Sequence, residues 1–171
     1  MSDTGAFPGR TVFRKAFPII LSLVLLIALD QWTKALAVAW LKDGEPFVLL
    51  PGIFELRYVE NTGAAFGILK GRSGVFFVMA TVACIALSYA LMRLPSGRRM
   101  LPLRACFVCI MAGAIGNLID RLRLGYVVDF LYFRLIDFPV FNVADIYITC
   151  SCVILAFLFI FYYKDGDLRF L

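Results

Sequence analysis

The sequence predicts an all-α polytopic membrane protein: four transmembrane helices with a small extracytoplasmic subdomain that contains β-structure. Three observations lead there. Hydrophobic residues make up 62% of 171 positions and the mean hydropathy is +0.88, too apolar for a water-soluble globule. Apolar runs recur four times, each approaching the roughly 20 residues an α-helix needs to cross the hydrocarbon of a bilayer. Between two of them, Phe54, Leu56 and Tyr58 alternate with Glu55 and Arg57, the period of two that marks a short amphipathic strand. The length suits one membrane domain, residues 1–171, with no room for a separate soluble one.

The first span is expected over about 16–41. Its apolar core, Phe17 to Leu29, lacks an Ala-x-Ala-like cleavage pattern and is followed by Asp30, so it reads as a retained span rather than a signal peptide. The second, about 74–93, contains the charge-free run Val75 to Met92; the third covers about 100–120 and the fourth about 143–163. Arg10, Arg14 and Lys15 precede the first span, and Arg93, Arg98, Arg99 and Arg104 crowd the link between the second and third. In the first outer link Lys42, Arg57, Lys70 and Arg72 are diluted among acids, whereas Arg121, Arg123 and Arg134 weaken the contrast in the other. On density, both termini and the 93–104 link lie in the cytoplasm, and loops of about 42–73 and 121–142 face outward. The net charge of +5 is thus assigned to topology and not to nucleic-acid binding.

There is no histidine, which removes Ser-His-Asp, Cys-His and His-ligated metal chemistry. The five cysteines, including Cys106-x-x-Cys109, fall inside apolar runs and are expected to be small packing residues; no metal and no cofactor is expected. Carboxylates remain as reagents. Asp30, Asp120, Asp129 and Asp145 lie at or near span ends, and acids within a membrane are costly enough to suggest function. Asp30 is about 14 residues into an outward-running helix, or roughly 21 Å at 1.5 Å per residue, and so falls in the outer half of the bilayer. Asp120 ends the third span, Asp145 opens the fourth, and Asp129 lies in the loop between; all four converge on the outer boundary.

Two of the acids have local basic partners: Asp30 with Lys34 four residues on, and Asp120 with Arg121 beside it. These are expected to hold structure. Asp129 and Asp145 have no basic residue within four positions. If they meet in an apolar setting they cannot both ionise comfortably and would share a proton, the arrangement an aspartic protease requires. Simpler readings stay open: Asn142 and Asp145 fit a helix cap, and Asp129 fits a solvated loop acid. Asn61-Thr62-Gly63 is a turn signal, and Gly113-Ala114-x-Gly116 suits close helix packing.

Five segments occur together: Asp30-Gln31-x-x-Lys34, Asn61-Thr62-Gly63-Ala64-Ala65-Phe66, Gly116-Asn117-x-x-Asp120-Arg121, Val127-Val128-Asp129-Phe130 and Phe141-Asn142-x-Ala144-Asp145. In order and spacing they resemble the lipoprotein signal peptidase (signal peptidase II) family, bacterial membrane aspartyl proteases. The resemblance implies catalytic Asp129 and Asp145, with Asp30, Lys34, Asn61, Gly63, Asn117, Asp120, Arg121 and Asn142 binding substrate or supporting the site. It implies a diacylglyceryl prolipoprotein substrate cut before its lipidated cysteine, contact with membrane lipid, inhibition by globomycin, and residence as a monomer in the bacterial inner membrane. The rival reading is a small proton-coupled transporter or channel subunit, since intramembrane acids also build proton relays.

Overall fold

The computed structural model describes residues 8–63, 73–95, 97–164 and 166–167. Helix α1 runs unbroken over Pro8–Leu41, carrying the polar stretch from Asp30 to Lys34 inside it. Strands β1 (Phe47–Leu50) and β2 (Phe54–Asn61) follow, then helix α2 (Ser73–Arg93). A 3-10 turn at Arg98–Met100 leads into α3 (Leu101–Leu124), which continues a full turn beyond Asp120. Strand β3 (Val127–Phe133) and a 3-10 turn at Arg134–Ile136 precede α4 (Val143–Phe157), extended by a π turn over Leu158–Tyr162. Lys70, Arg72 and the Ala64-Ala65-Phe66 part of the second motif lie outside the described residues, as do the side chains of Arg10, Arg14 and Lys15.

Among the described residues four helices are long and apolar enough to cross a membrane: Ala16–Leu41, Gly74–Arg93, Arg98–Leu124 and Val143–Tyr162. Half of the third is buried inside the protein, against none of the second, so α3 is the central helix and touches α1, α2 and α4. Side chains such as Val78, Val82, Val153 and Ile160 point outward, as expected where the solvent is lipid. The cysteines are less interior than expected: Cys106 is buried, but Cys150 and Cys152 lie on the exposed surface of α4.

Two apolar clusters fix the bundle. Leu94, Met100, Leu103, Phe107, Leu158 and Tyr163 join the end of α2, the start of α3 and the end of α4. Arg99 locks that end, donating to Asp167 at 2.7 and 3.0 Å, while the Tyr163 hydroxyl donates to the Arg99 carbonyl at 2.9 Å. At the opposite end Ala37 and Leu41 of α1 pack on Val128 and Phe130 of β3, with Leu56 and Tyr58 of β2 alongside. The strands form one antiparallel sheet, ordered β1-β2-β3, docked by this cluster onto the end of α1. The strand expected near Phe54–Tyr58 is present and longer.

The turn from α3 into β3 depends on Gly125. Its φ of 84° is left-handed, and its N–H bonds the Arg121 carbonyl at 3.1 Å, ending the helix. The chain therefore reverses within three residues and sends Val127 back along β2. Asp129 is consequently not in a loop, as the sequence suggested: it lies within β3, opposite Val59.

Candidate active site

Lys34 is the hub where α1 meets α3. Its ammonium touches Asp30 Oδ2 at 3.0 Å, Asp120 Oδ2 at 3.1 Å and Asn117 Oδ1 at 2.9 Å, one oxygen for each of its three protons. The side chain is 3% exposed and that of Asp30 is fully buried. Backbone donors complete the two carboxylates. The Ala144 N–H in the first turn of α4 donates to Asp30 Oδ1 at 2.9 Å, and the Val128 N–H to Asp120 Oδ2 at 3.1 Å. Asp30 thus satisfies an orphan amide at the positive end of α4 while α1 carries it. Gln31, whose place in the sequence gives no sign of a role, donates to Asp120 Oδ1 at 2.9 Å, and to Asp30 Oδ2 and the Gly116 carbonyl, both at 3.2 Å.

The expected pair of Asp120 with Arg121 does not form. Successive residues on a helix point about 100° apart, so Asp120 faces α1 while Arg121 turns elsewhere. Arg121 donates to the Gly63 carbonyl at 3.1 Å and to the Asn117 carbonyl at 3.4 Å, with its guanidinium 4.2 Å from the Phe76 ring centre. It ties the end of α3 to the turn after β2 and to α2.

Two asparagines carry the network onward. Asn117 Oδ1 already accepts from Lys34 and from Asn142 Nδ2 at 3.1 Å, which turns its own Nδ2 to Asp145 Oδ1 at 2.8 Å. Asn142 is the N-cap of α4: its Oδ1 accepts the Asp145 N–H at 3.0 Å, and Asp145 Oδ2 accepts the Asn142 N–H at 3.1 Å. That reciprocal capping box sends Asn142 Nδ2 to Asp129 Oδ1 at 2.6 Å. Asn61 Nδ2 donates to the other oxygen of Asp129 at 2.8 Å, its own Oδ1 being turned by the Gly63 N–H at 3.0 Å. The cap and the Asp129 network are therefore not alternatives here, since Asn142 takes part in both and holds Asp145 beside it. Every buried polar side-chain atom among the described residues has a partner.

The structure thus brings Asp129 and Asp145 to the two sides of Asn142, with Asp30, Lys34, Asn117 and Asp120 beneath and Asn61, Gly63 and Arg121 beside. Asp129 is 1% exposed, and burial drives its carboxyl up to about 7. The Asp145 charge adds to the rise; Asn61, Asn142 and Lys34 oppose it.

Gly116 does more than the close helix packing its spacing from Gly113 suggests. A β-carbon there would stand 2.5 Å from Asp30 Oδ2, so the glycine makes room for the buried carboxylate. One at Gly113 would strike the Ala144 carbonyl and Ile148, so that glycine sets how closely α3 and α4 approach.

A family model described as signal peptidase (SPase) II matches residues 22–161. A lipoprotein signal peptidase of Caldanaerobacter subterraneus subsp. tengcongensis is 43% identical over 143 residues, covering 83% of this chain and 95% of the relative. One from Streptococcus pyogenes serotype M5 is 42% identical over 137 residues, covering 80% and 88%. A bacterial membrane enzyme solved by the in meso method superposes with a TM-score of 0.75 at 30% identity, covering 93% of this chain and 92% of that one.

Proposed function

The chain belongs to the signal peptidase II family, and from that membership we infer that it removes signal peptides from lipid-modified prolipoproteins using two carboxylates, Asp129 and Asp145. The observation that carries the carboxylate assignment is Asn142, which donates at once to Asp129 from its side chain and to Asp145 from its backbone. In the mechanism we propose, the active form of the pair holds one proton on Asp129, whose carboxyl is pushed up to about 7 by burial. Asp145 takes a proton from water as the water oxygen bonds to the scissile carbonyl carbon, while Asp129 gives its proton to the carbonyl oxygen. As the gem-diol collapses, Asp129 takes back a hydroxyl proton, the C–N bond before the cysteine breaks, and Asp145 gives the proton it took from water to the leaving amine, which restores the singly protonated pair. Lys34, Asp30, Asp120 and Asn117 keep the pair in register, and Arg121 of α3, lying over Phe76 of α2 and bonded to Gly63, borders the site on the side facing α2.

A proton-coupled transporter is not favoured: the acids gather at one end of the bundle, the described lengths of α2 and α4 carry no charge in mid-span, and the family is a peptidase. We place both termini and the 93–104 link in the cytoplasm, the site at the outer leaflet beside membrane lipid, and the working unit as a monomer open to globomycin.

Purified protein should convert a diacylglyceryl prolipoprotein into free signal peptide and a product beginning at the lipidated cysteine. Activity should persist in EDTA and after thiol blocking. Substrate left intact would contradict the function; loss in EDTA restored by zinc would contradict the carboxylate mechanism.

A further inference from the structure

The sheet has two ends, and they differ sharply in chemistry. Asn61 and Val127 mark the end at the acids. The eight residues of β2 place the other end about 24 Å away at roughly 3 Å per residue. There the β1–β2 turn, with Gly52 in left-handed conformation, meets the 3-10 turn after β3 through the Leu135 N–H on the Ile53 carbonyl at 3.3 Å. The tip so formed exposes Leu50, Ile53, Phe133, Leu135, Ile136 and Phe138, with Leu135 and Ile136 each 69% exposed. All four residues of β1 are exposed as well, so the strand is bare on both faces. A water-soluble surface does not carry an unblunted apolar edge strand with an apolar cap.

We propose that this tip is a membrane anchor, its apolar side chains inserted at the headgroup and glycerol level of the leaflet on the site's side of the bilayer. Three features commit it to lipid. The sheet is docked on the last turn of α1, where Trp40 is 80% exposed among the lipid-facing residues of that helix, so the apolar surface continues the one already in the bilayer. Among the described residues β1 is the edge of the sheet, so its outer N–H and C=O groups belong at the headgroup level, where water and lipid polar groups can bond them, while the apolar side chains on both its faces reach towards the acyl chains. The polar groups near the tip are already engaged: Arg134 with Glu55 at 3.4 Å, Asp137 with the Tyr132 hydroxyl at 2.5 Å, and Arg57 over the Tyr132 ring. Anchored at both α1 and the tip, the sheet holds Asp129 and Asn61 at a fixed depth relative to the membrane surface, the level at which a lipidated chain leaves the bilayer.

The test needs no catalysis, so its failure is separable from failure of the peptidase reading. The two native tryptophans, Trp32 and Trp40, are changed to Phe, and Ile136→Trp is reconstituted in liposomes of lipids brominated near the glycerol end of the acyl chain. Emission should shift to the blue and fall by more than half relative to unbrominated liposomes, with little quenching by iodide. Leu135→Trp should respond the same way, guarding against a local fault in one variant. Emission typical of water and quenched by iodide would overturn the anchor. Protection from both quenchers would also overturn it, pointing to a second copy of the chain over the tip.

Discussion

Three oxygens on one ammonium decide what each substitution around Lys34 does. Asp120→Asn replaces one of the two buried anions that balance it, and breaking a buried pair costs about 3–5 kcal/mol when nothing compensates. Asp30 remains in place, so the loss should fall at or below that range, lowering the melting temperature in detergent at every pH. Asp129→Asn should behave in the opposite way, with a pH dependence. Its carboxyl titrates at about 7 in the folded protein, against about 3.9 in an unfolded chain. Between those values the folded state binds a proton that the unfolded chain has released, so stability declines as pH rises, and the penalty is complete above 7. Asp129→Asn should therefore match the parent near pH 4 and melt higher near pH 8. Equal melting temperatures for the two variants at pH 8 would contradict this division. Activity should likewise fall as pH rises through about 7, when the pair loses its shared proton. In Asp145→Asn the neighbouring charge is gone, and infrared carboxyl bands should show Asp129 titrating lower.

The elements show which parts of this were legible in advance. Asp30 and Lys34 lie four apart on one helix, so their pair follows from helical period alone. Lys34 with Asp120 depends on how α1 and α3 are rotated against each other, a tertiary fact that a neighbouring Arg121 in the sequence obscured. β3 gives no alternation to read because Val127, Val128, Asp129 and Phe130 are all buried, so polar and apolar side chains do not divide between an inner and an outer face. The role of Gly116 was hidden because a small residue on a membrane helix reads first as packing. Gly116→Ala should displace Asp30 from the start of α4, reducing both thermal stability and cleavage. Gly97→Ala, where an added β-carbon meets nothing within 4 Å, should leave both unchanged. If Gly116→Ala cleaves and melts like the parent, the close fit at Asp30 has no consequence.

At the scale of the whole molecule, four apolar spans and a clustered set of acids were readable from composition and spacing, while the way they meet was not. The end of α1, the start of α4 and the return of β3 converge because Gly125 reverses the chain and Ala37 and Leu41 seat the sheet. The direction of the bundle is open to a labelling experiment in a cysteine-free background: Asp43→Cys should react with an impermeant maleimide on intact cells, and Gly97→Cys only after the membrane is opened. The reverse pattern would invert the topology. The central claim is that Asp129 and Asp145 together perform the cleavage. It is tested most directly by turnover of a diacylglyceryl prolipoprotein by purified, folded Asp129→Asn and Asp145→Asn proteins. General acid–base catalysis contributes about 10²–10⁴-fold, so each variant should lose at least that much. Turnover within about tenfold of the parent in either variant would contradict the account.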